Sequence, residues 1–359
     1  MFRPQLLQSC VDHLGLGALA TRGDLTRFVV GATSDSRQVA PGFLFVAIPG
    51  SQVDGTDFVP AAIDAGAIAV AAVRPIPLPD GIAFIQVDSP YAAAARIAEW
   101  SHDFPARSLK IYGITGTNGK TTCAFLLRDI LQHAGQRPGM IGTVHYELGN
   151  RTLPADRTTP TAFDFQAMLA EMVGAGLESV VLEISSHALD QRRIGSVPLH
   201  GALFTNLSGD HLDYHLTMER YLEAKTLLFT EYLAPGAPAV LNCDDPDGAR
   251  MAAHLLTRDP PVRLRTYGCT PGANACMRDC RTSLTGTTLS FALPDGDLSL
   301  STPAMGLFNA YNVAGVVALA DALGIPWDAI KAATAAFEGA PGRLEPITGT
   351  NGLKVFVDY

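Results

Sequence analysis

Long apolar runs, paired cysteines and an excess of positive charge are all missing from this sequence. No uninterrupted apolar stretch approaches the ~20 residues that span a bilayer. Met1 to Leu14 carries Arg3, Gln5, Gln8 and Asp12 where a secretory leader has its apolar core, so no signal peptide is expected. The six cysteines (Cys10, Cys123, Cys243, Cys269, Cys276, Cys280) are scattered. Cys269, Cys276 and Cys280 lack the tight paired spacing of a zinc site. They read as free thiols of a reducing compartment, and the chain is expected to be cytoplasmic. Acidic residues outnumber basic ones, 35 to 26, for a net charge of -9. That excludes a general nucleic-acid or anionic-membrane surface, and no partner of either kind is expected. An anionic substrate would need a local basic site. With 47% hydrophobic and 17% charged residues the chain has a globular profile, and its 359 residues suffice for two or three cores.

One further absence is informative. The generic phosphate-loop pattern wants glycine five residues before Gly119, and that position is Ile114. Everything else of the pattern is present in Gly113-Ile114-Thr115-Gly116-Thr117-Asn118-Gly119-Lys120-Thr121-Thr122. An apolar, β-prone run (Leu109 to Thr115) leads in, and a helix-like run (Cys123 to Ala134) leads out. Glycines let backbone N–H groups approach phosphate oxygens, and a helix N-terminus favours the anion. Lys120 would reach the outer phosphates, and a threonine hydroxyl would meet Mg²⁺. A glycine turn before a helix needs no Lys-Thr-Thr, so turn chemistry alone does not account for the stretch.

Residues 1–105 read as a small α/β domain. Strands are expected at Phe43 to Ile48 and Ala67 to Val73. Helices are expected at Phe58 to Ala65, stopped by Gly66, and at Tyr91 to Trp100. The polar stretches Thr33 to Arg37 and Gly50 to Gly55 are turn formers on composition. Residues 106–342 alternate strands with helices, the pattern of a doubly wound, mostly parallel sheet. Ser179 to Glu183, Ala202 to Thr205 and Ala239 to Asn242 are apolar throughout, as strands covered on both faces are. Polar residues crowd their carboxyl ends: Glu183 to His187, Asn206 to His215, and Asn242 to Asp245. Ligands of such sheets bind at those ends. Thr285 to Leu300 alternates more loosely, like an antiparallel edge. Ala310 to Leu323 reads as a helix closed by Gly324 and Pro326. From Arg343 the character changes, and Lys354 to Tyr359 reads as a lone new strand with no second element. Residues 343–359 thus look like the start of a truncated third domain.

The strand ends offer a phosphate loop, the carboxylate Glu183, and Asp210-His211-Leu212-Asp213-Tyr214-His215. Mg²⁺ on nucleotide phosphates needs only one or two protein ligands, usually carboxylates, and Glu183 is suited to that. His187, His200, His211 and His215 match no standard zinc spacing.

Gly116 to Thr122, Glu183 to Gln191 (Glu-Ile-Ser-Ser-His-Ala-Leu-Asp-Gln) and Thr205 to His215 resemble the Mur ligases. Within that family they are most similar to the branch that adds the third amino acid to UDP-N-acetylmuramoyl-dipeptide. Ala224 to Phe229, Asp35-Ser36-Arg37, Asp54-Gly55 and Val357-Asp358-Tyr359 fit as well, so the likeness runs along the whole chain. One departure is Gly209, where the family carries Arg. The resemblance implies an ATP- and Mg²⁺-dependent amide ligase of peptidoglycan precursor synthesis, working through an acyl phosphate and as a monomer. It implies that Gly116, Thr117, Asn118, Gly119, Lys120, Thr121 and Thr122 hold the ATP phosphates and that Asn309 faces the adenine. It assigns Mg²⁺ to Thr121, Glu183, His211 and Lys225, the last as a carbamate, with Lys120, Lys225 and His211 as catalytic groups. On sequence alone a mid-helix lysine such as Lys225 reads as solvated. Thr158, Thr159, Ser185, Gln191 and Arg193 match muramoyl-peptide contacts, and Ser34, Ser36, Ser51, Gln52 and Val53 match uridine-side contacts. The incoming residue would be diaminopimelate or lysine. It further implies that these 359 residues bind substrate without turning it over. A folylpolyglutamate-synthase-like ligase and a non-catalytic module binding nucleotide or UDP-sugar are the competing readings.

Overall fold

The computed structural model describes residues 3–50, 53–258, 262–293, 296–348 and 354–358. The chain forms two compact units. The first comprises Met1–Arg107, Pro160–Glu171 and Gln191–Val197, and the second Ser108–Thr159, Met172–Asp190 and Pro198–Tyr359.

In the first unit five strands form a sheet in the order Ala18–Arg22, Ala83–Val87, Ala69–Ala72, Phe43–Val46, Gly31–Thr33. The first pair is antiparallel and the rest are parallel. Small and β-branched residues at Ala69–Ala72 are buried on both faces, which a parallel strand under helices requires. The helix Pro90–Ser101 opens on Ser89, whose side chain accepts from the Ala92 N–H, with Pro90 in its first turn. Its Ile97, Ala98 and Trp100 join Leu7, Cys10 and Leu14 of the helix Leu7–Leu14 in one core. Ala162 and Phe163 belong to the same core, which explains why a stretch near residue 160 groups with this unit. The helix expected over residues 58–65 is shorter, Val59–Asp64. A 3₁₀ turn, Gly55–Phe58, precedes it because the Asp54 side chain accepts from the Thr56 N–H.

The second unit is built on an eleven-stranded sheet. Its order is Thr152–Pro154, His145–Glu147, Pro138–Ile141, Ser179–Glu183, Lys110–Thr115, Leu199–Phe204, Pro238–Asn242, Arg263–Gly268, Ala275–Ser283, Gly286–Leu293, Gly296–Thr302. From Pro138–Ile141 to Ala275–Ser283 all pairings are parallel. The last three strands pair antiparallel, as the loose alternation after residue 285 predicts. Lys110–Thr115 lies between Ser179–Glu183 and Leu199–Phe204, so the strand order reverses on either side of it. That is the switch point at which such sheets open a crevice. The helix Lys120–His133 packs with Leu307–Ala322 and Trp327–Ala336 over the main core.

The expectation of a lone strand at the end of the chain is corrected. Lys354–Val357 pairs antiparallel with Glu345–Thr348. The earlier strand escapes recognition because Pro346 interrupts its pattern. Among the described residues no helix is long and apolar enough to cross a membrane.

Candidate active site

The strand Lys110–Thr115 ends in a loop that only glycine can make. Gly116 has φ +145° and Gly119 has φ +86°. A Cβ on Gly116 would lie 1.9 Å from Thr205 Oγ1, and one on Gly119 would lie 2.2 Å from Asn312 Oδ1. The loop is braced from the neighbouring strand end. Thr117 N donates to Asn206 O (2.8 Å), Asn118 N to Asn206 Oδ1 (3.0 Å), and Thr205 Oγ1 to Asn118 O (2.6 Å). Lys120 folds back along it, with Nζ donating to the carbonyls of Gly116 and Thr117, each at 2.8 Å. Burial lowers the Lys120 pKa, and the Glu183 carboxylate opposes that.

Glu183, at the end of the adjacent strand, is fully buried. Its Oε2 accepts from Thr121 Oγ1 (2.9 Å) and Thr143 Oγ1 (3.1 Å), and its Oε1 from Thr143 N (2.9 Å). Burial pushes its pKa up, while the Thr143 amide and then the Lys120 charge pull it back. Gly142 leaves room for this carboxylate, since a Cβ there would lie 2.2 Å from Oε1. Thr121, Glu183 and Thr143 thus gather hydroxyl and carboxylate oxygens beside Lys120, a donor set suited to a hard cation. Among the described residues no group of three or more His, Cys, Asp or Glu is arranged around a metal site. A cation shared with nucleotide phosphates does not need one.

Lys225 overturns the expectation of a solvated mid-helix lysine. It is 1% exposed on the helix Met218–Thr230. Its Nζ donates to Gly116 O (2.9 Å) and lies 4.5 Å from the centre of the Tyr221 ring. Burial first, and the Lys120 charge second, lower its pKa well below the usual lysine range. Tyr221 OH in turn lies 3.2 Å from Thr117 Oγ1.

A cavity of about 690 Å³ opens over the loop. Thr117, Asn118, Gly119, Lys120, Thr121 and Thr122 form its floor, and Thr143 and Thr158 line it as well. Phe308, Tyr311 and Asn312 make another wall, with Asp244 and Arg343 also lining it. Asn309 does not line it. It is 4% exposed, donates to Met305 O (2.9 Å) and accepts from Asn312 Nδ2 (3.2 Å). Asp244 holds Tyr311 through its hydroxyl (2.8 Å) and also accepts from the amides of Cys269 and Thr270. His211 is exposed, has φ +52°, and places Nε2 3.5 Å from Asp210 Oδ2, with its ring edge-on to His187 at 4.9 Å. Gly209 faces open space, since a Cβ there would meet nothing within 4 Å.

Thr159 is fully buried and braces the strand end, donating to Glu183 O (2.9 Å) and accepting from Ser185 N (3.1 Å). Thr158 Oγ1 lies 3.1 Å from Thr143 Oγ1. In the first unit Ser34 and Ser36 are half-buried and Val53 is exposed. Asp35 accepts from the Arg37 N–H and pairs with its guanidinium, so this stretch is a turn on its own chemistry. Ser51 and Gln52 lie outside the described residues. Arg193 Nε and Nη2 donate to Gln191 Oε1 at 3.0 and 2.7 Å. Sequence reasoning missed Thr143, Tyr221 and Tyr311. Thr143 could have been found as the second residue past the carboxyl end of Pro138–Ile141, had that short strand been recognised.

Residues 114–320 match the Mur ligase middle domain, and residues 29–98 match the Mur ligase family catalytic domain. The UDP-N-acetylmuramoyl-L-alanyl-D-glutamate–2,6-diaminopimelate ligase of Geobacter metallireducens is 39% identical over 342 residues, covering 94% of this chain and 66% of its own length. The ligase of the same name from Synechococcus elongatus is 40% identical over 338 residues, 92% of this chain and 67% of its own. A solved structure of a ligase with that name superposes with a TM-score of 0.82 at 28% identity, covering 97% of this chain and 69% of that one. The chain therefore spans about two thirds of the length of the relatives it matches. The family pattern covers the P-loop, the Glu183 strand end and the Lys225 helix alike, and by that match and this identity the chain belongs to the Mur ligase family.

Proposed function

We propose that this chain carries the UDP-substrate and ATP parts of the ligase that joins diaminopimelate to UDP-N-acetylmuramoyl-L-alanyl-D-glutamate. One observation carries the reading. The Thr121 hydroxyl and the Glu183 carboxylate meet at 2.9 Å beside the Lys120 loop, in a chain 39% identical to a ligase so named. The terminal carboxylate of the dipeptide attacks the γ-phosphorus of ATP, ADP leaves, and an acyl phosphate forms. The amine of the incoming residue attacks the acyl carbon, phosphate leaves, and the amine loses a proton. Lys120 and the amides of Gly116 to Thr122 neutralise and orient the phosphates, which is most of what phosphoryl transfer asks of a protein. Thr121 and Glu183 would hold Mg²⁺, which when bound supplies positive charge to the transferring phosphoryl oxygens. His211 would serve a second ion.

Lys225 fits a carbamate because its amine is buried and held toward its neutral form. The neutral amine adds CO₂ and releases a proton, replacing a cation with an anionic oxygen ligand. Asn309 acts on the adenine through Asn312 in this reading. Ser34, Ser36, Val53, Gln191 and Arg193 take the uridine and peptide ends, with Thr158 and Ser185 at the acyl end. A cytoplasmic location agrees with this reading, since ATP and the UDP-linked dipeptide would both be met there. Calorimetry with a non-hydrolysable Mg²⁺-ATP analogue and with UDP-N-acetylmuramoyl-L-alanyl-D-glutamate should find one site for each. A folded protein that takes up neither would sink the reading.

A further inference from the structure

One buried carboxylate plays no part in the scheme above. Glu99 lies in the last turn of the helix Pro90–Ser101 and is 4% exposed. Both of its oxygens reach Ser196, 97 residues away: Oε1 accepts the Ser196 N–H, and Oε2 accepts the hydroxyl at 2.6 Å. His13 Nε2 stands 3.9 Å from Oε2. Burial raises the Glu99 pKa, and the two Ser196 donors draw it back down. The stretch it grips is an unusual turn. Gly195 N donates to Arg192 O at 3.0 Å, Arg192 has φ +50° and Gly195 has φ +69°. A Cβ on Gly195 would lie 2.0 Å from Glu99 Oε1, so glycine is needed for the backbone and for the carboxylate together. Ile194 and Val197 are buried on either side of the grip. Just upstream, Gln191 Oε1 receives two N–H groups of the Arg193 guanidinium.

We propose that Glu99 is a positioning residue for the peptide end of the UDP-linked substrate, holding Ser196 so that the turn presents Gln191 and Arg193 in fixed geometry. This rests on the functional reading above. An oriented guanidinium is complementary to a carboxylate ligand, and a planar fork loses its advantage when it is free to swing. A turn with a non-glycine residue at positive φ does not hold itself, so ordering it on binding would cost affinity. Two charge-assisted hydrogen bonds from a rigid, capped helix remove that cost beforehand. Burying a carboxylate is expensive, and a purely apolar contact would have tied down the backbone more cheaply. The carboxylate supplies what an apolar contact cannot, a direction for the Ser196 N–H and hydroxyl.

The test compares Glu99→Ala, Glu99→Gln and Ser196→Ala in the 359-residue chain, by calorimetry with three probes: UDP-N-acetylmuramoyl-L-alanyl-D-glutamate, UDP alone, and a Mg²⁺-ATP analogue. Glu99→Ala should weaken the muramoyl-dipeptide ligand about tenfold or more, the scale of one lost charged hydrogen bond. UDP and the ATP analogue should stay within about twofold. Glu99→Gln keeps an acceptor for the N–H and a partner for the hydroxyl, and should bind within about threefold of the parent. Should Glu99→Ala not fold, Ser196→Ala carries the test, with a loss of about threefold or more for the dipeptide ligand alone. Unchanged dipeptide binding in a folded Glu99→Ala would overturn the proposal, and so would equal loss of UDP and dipeptide ligand. A parent chain that binds neither uridine ligand would defeat the functional reading, and the proposal with it, before any variant is compared.

Discussion

At the scale of single residues the site is defined by charges out of water. Lys225 and Glu183 both have their neutral forms favoured by burial, and each therefore predicts a pH dependence of known sign. Glu183 starts from an ordinary value of 4.5 and is raised in the fold. Its protonated form is the one the fold prefers, so its contribution to stability is full below 4.5 and is lost as pH rises through the raised value. Glu183→Gln keeps an acceptor for the Thr143 amide and partners for the two hydroxyls. It should raise Tm at pH 7.5 by roughly 2–4 °C, the effect of about 1 kcal/mol in a unit of this size. The same variant should lose Mg²⁺-dependent nucleotide binding. In the parent, protons compete with the cation, so Mg²⁺-ATP affinity should fall on acidification at a pH above the usual glutamate range. A Tm of Glu183→Gln below that of the parent would show the carboxylate to be a net brace. Lys225 runs the other way, its neutral amine gaining population as pH rises. With ¹³C-bicarbonate, a carbamate resonance should appear at pH 8, fade on acidification, and be absent from Lys225→Ala. Lys120→Ala, which removes the cation folded along the loop, should weaken Mg²⁺-ATP binding at least about tenfold. Near-normal affinity would mean that the phosphates lie elsewhere.

At the scale of elements the fold was legible where burial is two-sided. Ser179–Glu183 is expected from its apolar run and found with the same ends, because both faces are covered and its interior positions, Val180 to Leu182, must be apolar. Ala18–Arg22 was invisible because it is an edge strand with four exposed positions in a row, so no alternation marks it. The helix around Lys225 was legible as a helix, but the burial of Lys225 was not. Periodicity orders residues around a helix and does not say which neighbour covers them. Glu99 and Ser196 were out of reach for the same reason, since their pairing joins a helix to a turn 97 residues away. The loop glycines were legible in kind, and the structure adds what each would strike. Gly119 and Gly81 make a controlled pair, with φ +86° and +87°. A Cβ on Gly119 meets Asn312 Oδ1 at 2.2 Å, whereas one on Gly81 meets nothing within 4 Å. Alanine at either position should cost about 1–2 kcal/mol of backbone strain. Only Gly119→Ala should also displace Asn312 and weaken ATP-analogue binding by about tenfold. Equal nucleotide affinity in the two variants would remove Asn312 from the site.

At the scale of the whole molecule the chain divides into two units, each with its own sheet and core. The P-loop, Glu183 and Lys225 all lie in the second unit. The turn with Ser34 and Ser36, proposed above for the uridine side, lies in the first, together with Gln191 and Arg193, which the chain returns to that unit from far downstream. Sequence order alone does not display that return, because residues 160–171 and 191–197 are separated by a stretch of the other unit. If binding follows the cores, the two nucleotides should be separable by mutation. Ser36 is half-buried and opens the short 3₁₀ segment Ser36–Gln38, which Asp35 caps while pairing with Arg37. Ser36 belongs to neither core cluster of the first unit, so Ser36→Trp should leave that unit folded. UDP affinity should fall by about tenfold or more while ATP-analogue affinity stays within about twofold. Calorimetry on one preparation, with each ligand titrated in turn, reads both numbers. Equal loss of both would mean that the uridine and adenine nucleotides share one unit, and Ser36 would then be a residue of its framework.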